Sequence, residues 1–287
     1  MEDGLRKVDL HMHTAVSDGT DTPEELLTKV KGAGISFFSV TDHDAVRAGQ
    51  LIRPLLSEKD PRFIPGVEFS CRDETGKCHI LGYGFDPDHA AMQGLIKHGH
   101  DLRMQKAAAR LDFLKSEFGF TFPEEEIEWL LTLDNPGKPH IGNLMVKYGY
   151  AQTMKAAIRD YINRIRFAEQ HICPKEAIEG ILAGGGIPVL AHPFYGSGDE
   201  LILGEEMEAR LRRLMGFGLC GVEAFYSGFS SKLRRDALDL AEKYGLYVTA
   251  GSDYHGANKL VKLGDTGLDS VSEYPEGLRR FLSVFLP

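Results

Sequence analysis

Along the first 85 residues, short apolar runs alternate with amphipathic stretches. Residues 7–13 (KVDLHMH) read as a strand. Strand side chains alternate faces with period two, so Val8, Leu10 and Met12 point one way and Asp9, His11 and His13 the other. A helix follows from Pro23, with Thr22 as N-cap and Gly32 and Gly34 near its stop. Residues 35–44 (ISFFSVTDHD) form a second strand and 45–57 a second helix. Residues 62–71 and 77–85 are two β runs, and the RDETG between them marks a hairpin. From about 88 to 183 no strand pattern occurs. Helices are expected at 89–118, 123–133, 140–149, 153–164 and 174–183, and GGG at 184–186 ends the stretch. Alternation then resumes, with strands at 187–193, 219–226 and 246–255 and helices at 199–216, 230–245 and near 275–285.

This rhythm predicts an α/β fold built on a parallel sheet or barrel. Three apolar runs, 187–191, 219–222 and 246–250, fit strands buried on both faces. Polar residues follow at strand ends, where parallel α/β folds place their sites: His43, Glu68, His192, Glu223, Asp253 and His255. We expect residues 1–87 and 184–287 to form one discontinuous α/β domain, and 88–183 a helical insert subdomain.

Charge narrows the partners. Lys and Arg number 33 against 42 Asp and Glu, a net of −9. Such acidity disfavours long nucleic acids, whose phosphates need a basic face. No apolar run reaches the ~18–20 residues that span a bilayer. MEDGLRKVDL has no secretory apolar region, and the four cysteines (Cys71, Cys78, Cys173, Cys220) form no C-x-x-C pair. A cytoplasmic chain with reduced thiols is expected.

The informative residue is histidine. Of 11 in the chain, six fall into one pattern with carboxylates. His11 and His13 share a strand face with Asp9, an arrangement that is costly inside a fold unless something satisfies it. Two imidazoles at i, i+2 can reach one ion. Asp18 follows closely, Asp42-His43-Asp44 ends the second strand, and Glu68 and His79 sit on opposite arms of the hairpin. If Cys71 faces Cys78, Ser70 faces His79 and Glu68 faces Leu81. Glu68 and His79 are then diagonal neighbours on one face, and a one-residue slip would separate them. His192, Asp253 and His255 end later strands. Nine N and O donors (His11, His13, Asp18, His43, Glu68, His79, His192, Asp253, His255) are too many for one ion. They suit two or three, and a set of N and O donors with no thiolate favours Mn²⁺, Fe²⁺ or Zn²⁺ over a soft structural site.

VDLHMHTAVSDG, VTDHD, GVEFS, AHP and GSDYHG, in this order, resemble the motif series of the PHP (polymerase and histidinol phosphatase) family. The resemblance spans nearly the whole chain. It implies a distorted (β/α)₇ barrel and a trinuclear centre, often of manganese. One ion would be held by His11, His13, Glu68 and Asp253, a second by Glu68, His79 and His192, and a third by Asp18, His43 and His255, with Glu68 bridging. Hydrolysis would use metal-activated hydroxide, with His192 or Asp253 as candidate proton donor to the leaving group. Glu223 is absent from that ligand pattern.

The helical insert resembles the small-molecule subgroup, which includes nucleoside 3′,5′-bisphosphate phosphatases and cyclic ribose-phosphate phosphodiesterases. The nucleotide enzymes would carry an Arg where this chain reads NPGKPH, with Lys138, and another after AHP, where it reads AHPFYGSGDE. Lys138, His140, Tyr195 and Ser227 are therefore the candidate substrate contacts, with Tyr226, Lys262 and the 197–198 backbone in reserve. The expected activity is metal-dependent hydrolysis of a small phosphorylated ribose metabolite. Alternatives are a histidinol-phosphate phosphatase, a 5′–3′ exonuclease on short oligonucleotides, or a non-catalytic metal-binding regulatory domain. His89, His98, His100 and His171 are expected to be solvated. Trp129 and FLKSEFGFTF are expected to pack helices together.

Overall fold

Element starts follow the local signals. In the computed structural model, which describes residues 6–165, 171–196 and 201–286, helix α1 (Pro23–Gly32) opens on a capping box. Thr22 Oγ1 accepts from the Glu25 N–H at 3.2 Å, and Glu25 Oε2 accepts from the Thr22 N–H at 2.9 Å. The chain then runs β1 (Lys7–Asp9), α1, β2 (Ile35–Phe38), α2 (Arg47–Ile52), β3 (Arg62–Phe63), β4 (Gly66–Asp73) and β5 (Gly76–Tyr83). Helices α3 (Ala90–Phe118), α4 (Glu124–Thr132), α5 (Lys138–Lys147), α6 (Met154–Asp160) and α7 (Pro174–Ala183) follow. The rest is β6 (Ile187–Leu190), α8 (Gly204–Met215), β7 (Gly221–Tyr226), α9 (Ser231–Tyr244), β8 (Tyr247–Gly251) and α10 (Glu276–Ser283).

The strands form a mixed α/β architecture. One sheet has the order β1-β2-β3, all parallel, and the other β4-β5-β6-β7-β8. Pairs β6/β7 and β7/β8 are parallel, as the rhythm predicted, but β4/β5 and β5/β6 are antiparallel. The hairpin is the reason: its tight turn sends β5 back against the common direction, so the next forward strand must meet it antiparallel. The hairpin register is the expected one, Cys71 opposite Cys78, Ser70 opposite His79 and Glu68 opposite Leu81.

The two sheets meet along both margins. Beyond β1, the Leu10 N–H donates to Ala250 O at 2.8 Å and His11 O accepts from the Asp253 N–H at 2.7 Å. Beyond β2, the Asp44 N–H donates to Glu68 O at 3.0 Å and the Glu68 N–H to Asp42 O at 3.2 Å. These joins bring the polar strand ends together.

A large core fills the space between the five-stranded sheet and its covering helices, and includes Phe69, Ile80, Ile181, Leu211, Phe225 and Phe281. Helix α7 belongs to it through Ala177, Ile178 and Ile181. A separate core joins the second half of α3 to α4, α5 and α6 through Ala107, Leu111, Leu114, Leu130, Ile141, Met145 and Ala157. Phe118, Phe120, Phe122, Tyr148, Tyr150 and Tyr161 stack around it. Trp129 departs from its expected packing role. At 52% exposure it sits on the outer face of α4, because the adjacent Leu130 takes the inward position. Of the insert histidines expected to be solvated, His89 is exposed, while His98, His100 and His171 are half-buried. His89 caps α3, His98 pairs with Glu176, His100 Nδ1 donates to Asp134 O at 2.7 Å, and His171 lines a cleft beside the site. No helix among the described residues is long and apolar enough to cross a membrane.

Candidate metal centre

The strand expected over 7–13 ends at Asp9, and the site begins in the segment just beyond it, where Met12 still bridges to Tyr254. His11 and His13 are fully buried, their rings 5.2 Å apart. His11 Nε2 lies 3.3 Å from Glu68 Oε2 and 3.6 Å from Asp253 Oδ1, and His13 Nε2 lies 3.2 and 3.4 Å from the same two oxygens. Neither nitrogen makes a hydrogen bond, although both are sealed from water. Buried polar atoms are almost always satisfied, so this convergence fits a bound cation.

The other predicted residues surround this centre. His43 Nδ1 is 3.1 Å from Glu68 Oε2, and His255 Nε2 is 3.2 Å from Asp18 Oδ1. His79 Nδ1 and His192 Nε2 reach Glu68 Oε1 at 2.8 and 3.3 Å. Glu68 therefore sits at the middle. Three groups have donor atoms close enough to share an ion: His13, Asp18, His43 and His255; His11, His13 and Asp253; and His43, Glu68 and His79. His192 meets the cluster through Glu68. All nine residues singled out in the sequence lie in this one place.

Electrostatics favour added positive charge. Burial would push the carboxyls of Asp18, Glu68 and Asp253 up, but the imidazoles around them, and Lys259 beside Asp253, hold all three well below the usual range. Burial works against protonated His11 and His13. Nevertheless the facing carboxylates raise His11 well above its ordinary value and His13 to about 9. The cluster is a cation trap built of N and O donors, the set that suits Mn²⁺, Fe²⁺ or Zn²⁺.

Backbone strain collects here as well. Among the described residues, the non-glycine positions with positive φ are Asp44 (52°), His192 (27°) and Asp253 (58°). His192 and Asp253 lie two residues past the ends of β6 and β8, and Asp44 in the loop after β2, all beside the cluster. Such conformations cost energy and persist where the surroundings over-determine them.

Several groups at the site had no assigned role from sequence, and Lys259 was not singled out at all. Glu223 was set aside, yet it is fully buried against His11. The Lys259 ammonium lies 2.6 Å from Asp253 Oδ2, which also accepts from Tyr226 Oη at 3.0 Å. Lys262, the cation considered from sequence, is exposed instead. Asp42 accepts from Thr14 and Ser17, and Asp9 from Ser252 and Gly264, so these buried carboxylates brace the loops around the cluster.

A cleft of about 300 Å³ opens at the Asp18, His43 and His79 rim. Its lining also carries Lys77 from β5, Arg103, Lys106 and Arg110 from α3, and Lys138 from α5. Arg103 Nε donates to Asp44 Oδ2 at 2.8 Å and its Nη2 to Ser70 Oγ. Lys138 opens α5, its ammonium 2.8 Å from Asn163 Oδ1. His140 accepts from the Gly137 N–H at 3.1 Å and turns toward a second groove beside Trp129 and Asn143. Tyr195 Oη donates to Gly228 O, and its ring centre is 6.3 Å from that of His192. Ser227 directly follows β7 and is half-buried. The 197–198 backbone lies outside the described residues.

The fold is that of a solved Bifidobacterium adolescentis chain assigned as a metal-dependent phosphoesterase, with a TM-score of 0.84 and 24% identity over 100% of this chain and 99% of that one. In sequence, the chain is 26% identical to a 3′,5′-nucleoside bisphosphate phosphatase of Chromobacterium violaceum, over 88% of each. It is 30% identical to a phosphoribosyl 1,2-cyclic phosphate 1,2-diphosphodiesterase of Eggerthella lenta, over 86% of this chain and 94% of the other. It is 27% identical to a 5′-3′ exoribonuclease of Haemophilus influenzae, over 90% and 93%. These relatives are all phosphoric ester hydrolases, and that is the enzyme class of this chain. It belongs to the PHP domain family, whose model matches residues 9–274.

Proposed function

We propose that this chain hydrolyses phosphate esters of a small phosphorylated ribose metabolite that carries a second phosphate. The candidates are a nucleoside 3′,5′-bisphosphate and phosphoribosyl 1,2-cyclic phosphate. Supporting this reading is the junction of two opposite charge patterns: the acidic, histidine-rich cluster and a set of five Lys and Arg side chains line one cleft. An anion bound against Lys77, Arg103, Lys106, Arg110 and Lys138 has one end beside Asp18, His43 and His79. The orphaned nitrogens of His11 and His13 support divalent ions at that end.

Two or three such ions, manganese by preference, are held in this reading by His11, His13, Asp18, His43, Glu68, His79, His192, Asp253 and His255. The chemistry they supply when bound is a water acidified to hydroxide near neutral pH and an offset to phosphoryl charge. The chain's own groups do the rest. Arg103, fixed by Asp44 and Ser70, presents a planar cation suited to a terminal phosphate. Lys138 adds a point charge at the same wall, and His140, Tyr195 and Ser227 border the substrate. Asp253 accepts from Lys259 and Tyr226 on one oxygen and faces His11 and His13 with the other, so it orients the centre. Of the two candidate donors, Asp253 has both oxygens engaged in this way, and His192 can give a proton to the leaving oxygen only in a two-ion arrangement in which its Nε2 holds no ion.

We read the fold as a distorted (β/α)₇ barrel. Its staves are β1, β2 and β4 to β8, supported by the joins at Leu10–Ala250 and Asp44–Glu68. We take residues 88–183 as a helical insert in a catalytic domain of 1–87 and 184–287, its two ends (the start of α3, and α7) packed on that domain's core and its middle forming a core of its own, and we place the protein in the cytoplasm. A short 5′-phosphorylated RNA end is the second reading, since an exoribonuclease is among the relatives. The small cleft and the net charge of −9 favour the metabolite.

The test is phosphate release with Mn²⁺ from four substrates: 3′-phosphoadenosine 5′-phosphate, phosphoribosyl 1,2-cyclic phosphate, histidinol phosphate and a 5′-phosphorylated RNA trimer. One of the first two should exceed the others by at least about tenfold in kcat/KM. Faster turnover of the trimer or of histidinol phosphate, or no turnover with manganese, iron or zinc, overturns the reading.

A further inference from the structure

We infer that Glu223 is a positioning residue that fixes two neighbouring members of the metal cluster at once, His11 by its ring and His192 by its backbone. The inference rests on reading the cluster as a metal site. Glu223 lies in the middle of β7 and is completely buried, with apolar Val222, Ala224 and Phe225 around it in sequence. A carboxylate in such surroundings is costly unless each oxygen is satisfied. Here both are. Oε1 accepts from His11 Nδ1 at 2.9 Å, and Oε2 accepts from the His192 N–H at 2.8 Å.

Each bond has a consequence at the centre. Holding the proton on His11 Nδ1 leaves Nε2 with its lone pair, and Nε2 is the atom that faces Glu68 and Asp253. This is the way a carboxylate behind a ligating imidazole sets its tautomer and ring angle. The second bond anchors His192 at φ 27°, a conformation that needs external support. Only a carboxylate can serve both partners, because both are N–H donors and an amide offers a single acceptor oxygen. The neighbouring strand makes room for the arrangement. A Cβ on Gly251 would fall 2.3 Å from Glu223 Oε1 and 2.2 Å from His11 Cβ. Glycine is required there so that β8 can pass behind the pair.

Glu223 is not itself one of the groups that converge on an ion position among the described residues. Its effect is exerted through His11 and His192, and the experiment must separate that from plain structural support. Mn²⁺ binding is titrated by electron paramagnetic resonance on the metal-stripped full-length chain, the unmutated protein beside Glu223→Gln. The visible spectrum of the Co²⁺-loaded proteins is recorded in parallel. Glu223→Gln should weaken Mn²⁺ binding by about 10–100-fold and change the Co²⁺ bands, since the ring and backbone geometry at the ions shifts. Gly251→Ala, which crowds the same pair, should act in the same direction and stands in if the first variant does not fold. Unchanged Mn²⁺ affinity together with an unchanged Co²⁺ spectrum overturns the inference. His11→Ala serves as the control. If it loses Mn²⁺ binding while Glu223→Gln does not, only the role of Glu223 falls. If His11→Ala also retains full binding, the metal reading itself falls.

Discussion

The metal cluster and the helical wall of the cleft carry opposite charge and are built by opposite means. At the strand ends, each imidazole and carboxylate is aimed by backbone alternation and pinned by a neighbour: Glu68 touches His11, His13, His43, His79 and His192. At the wall, Arg103, Lys106 and Arg110 come from successive turns of one helix, and Lys138 from the first turn of another. The heart of the cluster, His11, His13 and Glu68, is closed to water, while Asp18, His43, His79 and His192 reach its open side. The wall is half open, and its long side chains reach the cleft from a separate core. The difference divides the labour. The buried region can hold ions and orient the reacting group, while the helical region can discriminate among anions without disturbing that geometry.

The hardest test of this division is removal of a buried ligand. His11→Ala deletes an imidazole that faces Glu68 and Asp253, removing one donor from an ion position and one partner from each carboxylate. Bound manganese should be lost and phosphate release should fall by at least about 10³-fold on every substrate, since charge stabilisation at the reacting group is usually the largest single catalytic term. Metal content by plasma mass spectrometry and kcat/KM check it together. A variant that still turns over after metal stripping would place catalysis elsewhere in the molecule.

The same contrast explains what could be read from the chain alone. Strand alternation aims His11 and His13 together, and the hairpin register places Glu68 beside His79, so the cluster was legible before any coordinates. Glu223 was not, because a buried carboxylate behind a histidine looks in sequence like any polar residue closing a strand. Lys259 was missed for a different reason. Its position depends on the loop after His255 folding back over Asp253, which no periodicity records. Arg103 was hidden by its helix. The 29 residues of α3 show no sharp amphipathic stripe, since its first half packs on the sheet core and its second half on the helical core. The Trp129 expectation failed at the same level: helix spacing says which residues share a face, and tertiary docking decides which face is covered.

A milder test lies on the wall. Arg103→Ala should raise KM about 10–100-fold for substrates with a second phosphate, the size of one or two lost charge-assisted hydrogen bonds. For a simple monoester the rise should be smaller. The guanidinium also supports Asp44, whose φ of 52° is strained, so Arg103→Lys belongs beside it. Lysine keeps the charge but loses the fork, and partial recovery of KM would assign the effect to the anion. Equal losses on both substrate types would instead mean that Arg103 acts by holding Asp44 and Ser70.

The smallest effect is expected at Lys138. Its ammonium is a compact, strongly hydrated charge without the bidentate geometry of arginine, and it is already engaged with Asn163. Half-exposed charges are screened, so replacing it removes only a modest attraction. Lys138→Ala should therefore raise KM by about threefold to tenfold for 3′-phosphoadenosine 5′-phosphate, in the range of roughly 1 kcal/mol for a weakly buried ion pair. The monoester should change less. Lys138→Arg decides how the wall reads its ligand. If a planar fork at the start of α5 can grip a terminal phosphate, this variant should bind the bisphosphate more tightly than the unmutated chain. If the wall works only as a diffuse positive field, Lys138→Arg should match the unmutated protein, and raising the salt concentration should reduce the Lys138→Ala penalty in parallel. An equal KM change for bisphosphate and monoester would remove Lys138 from the discriminating wall and leave that role to α3.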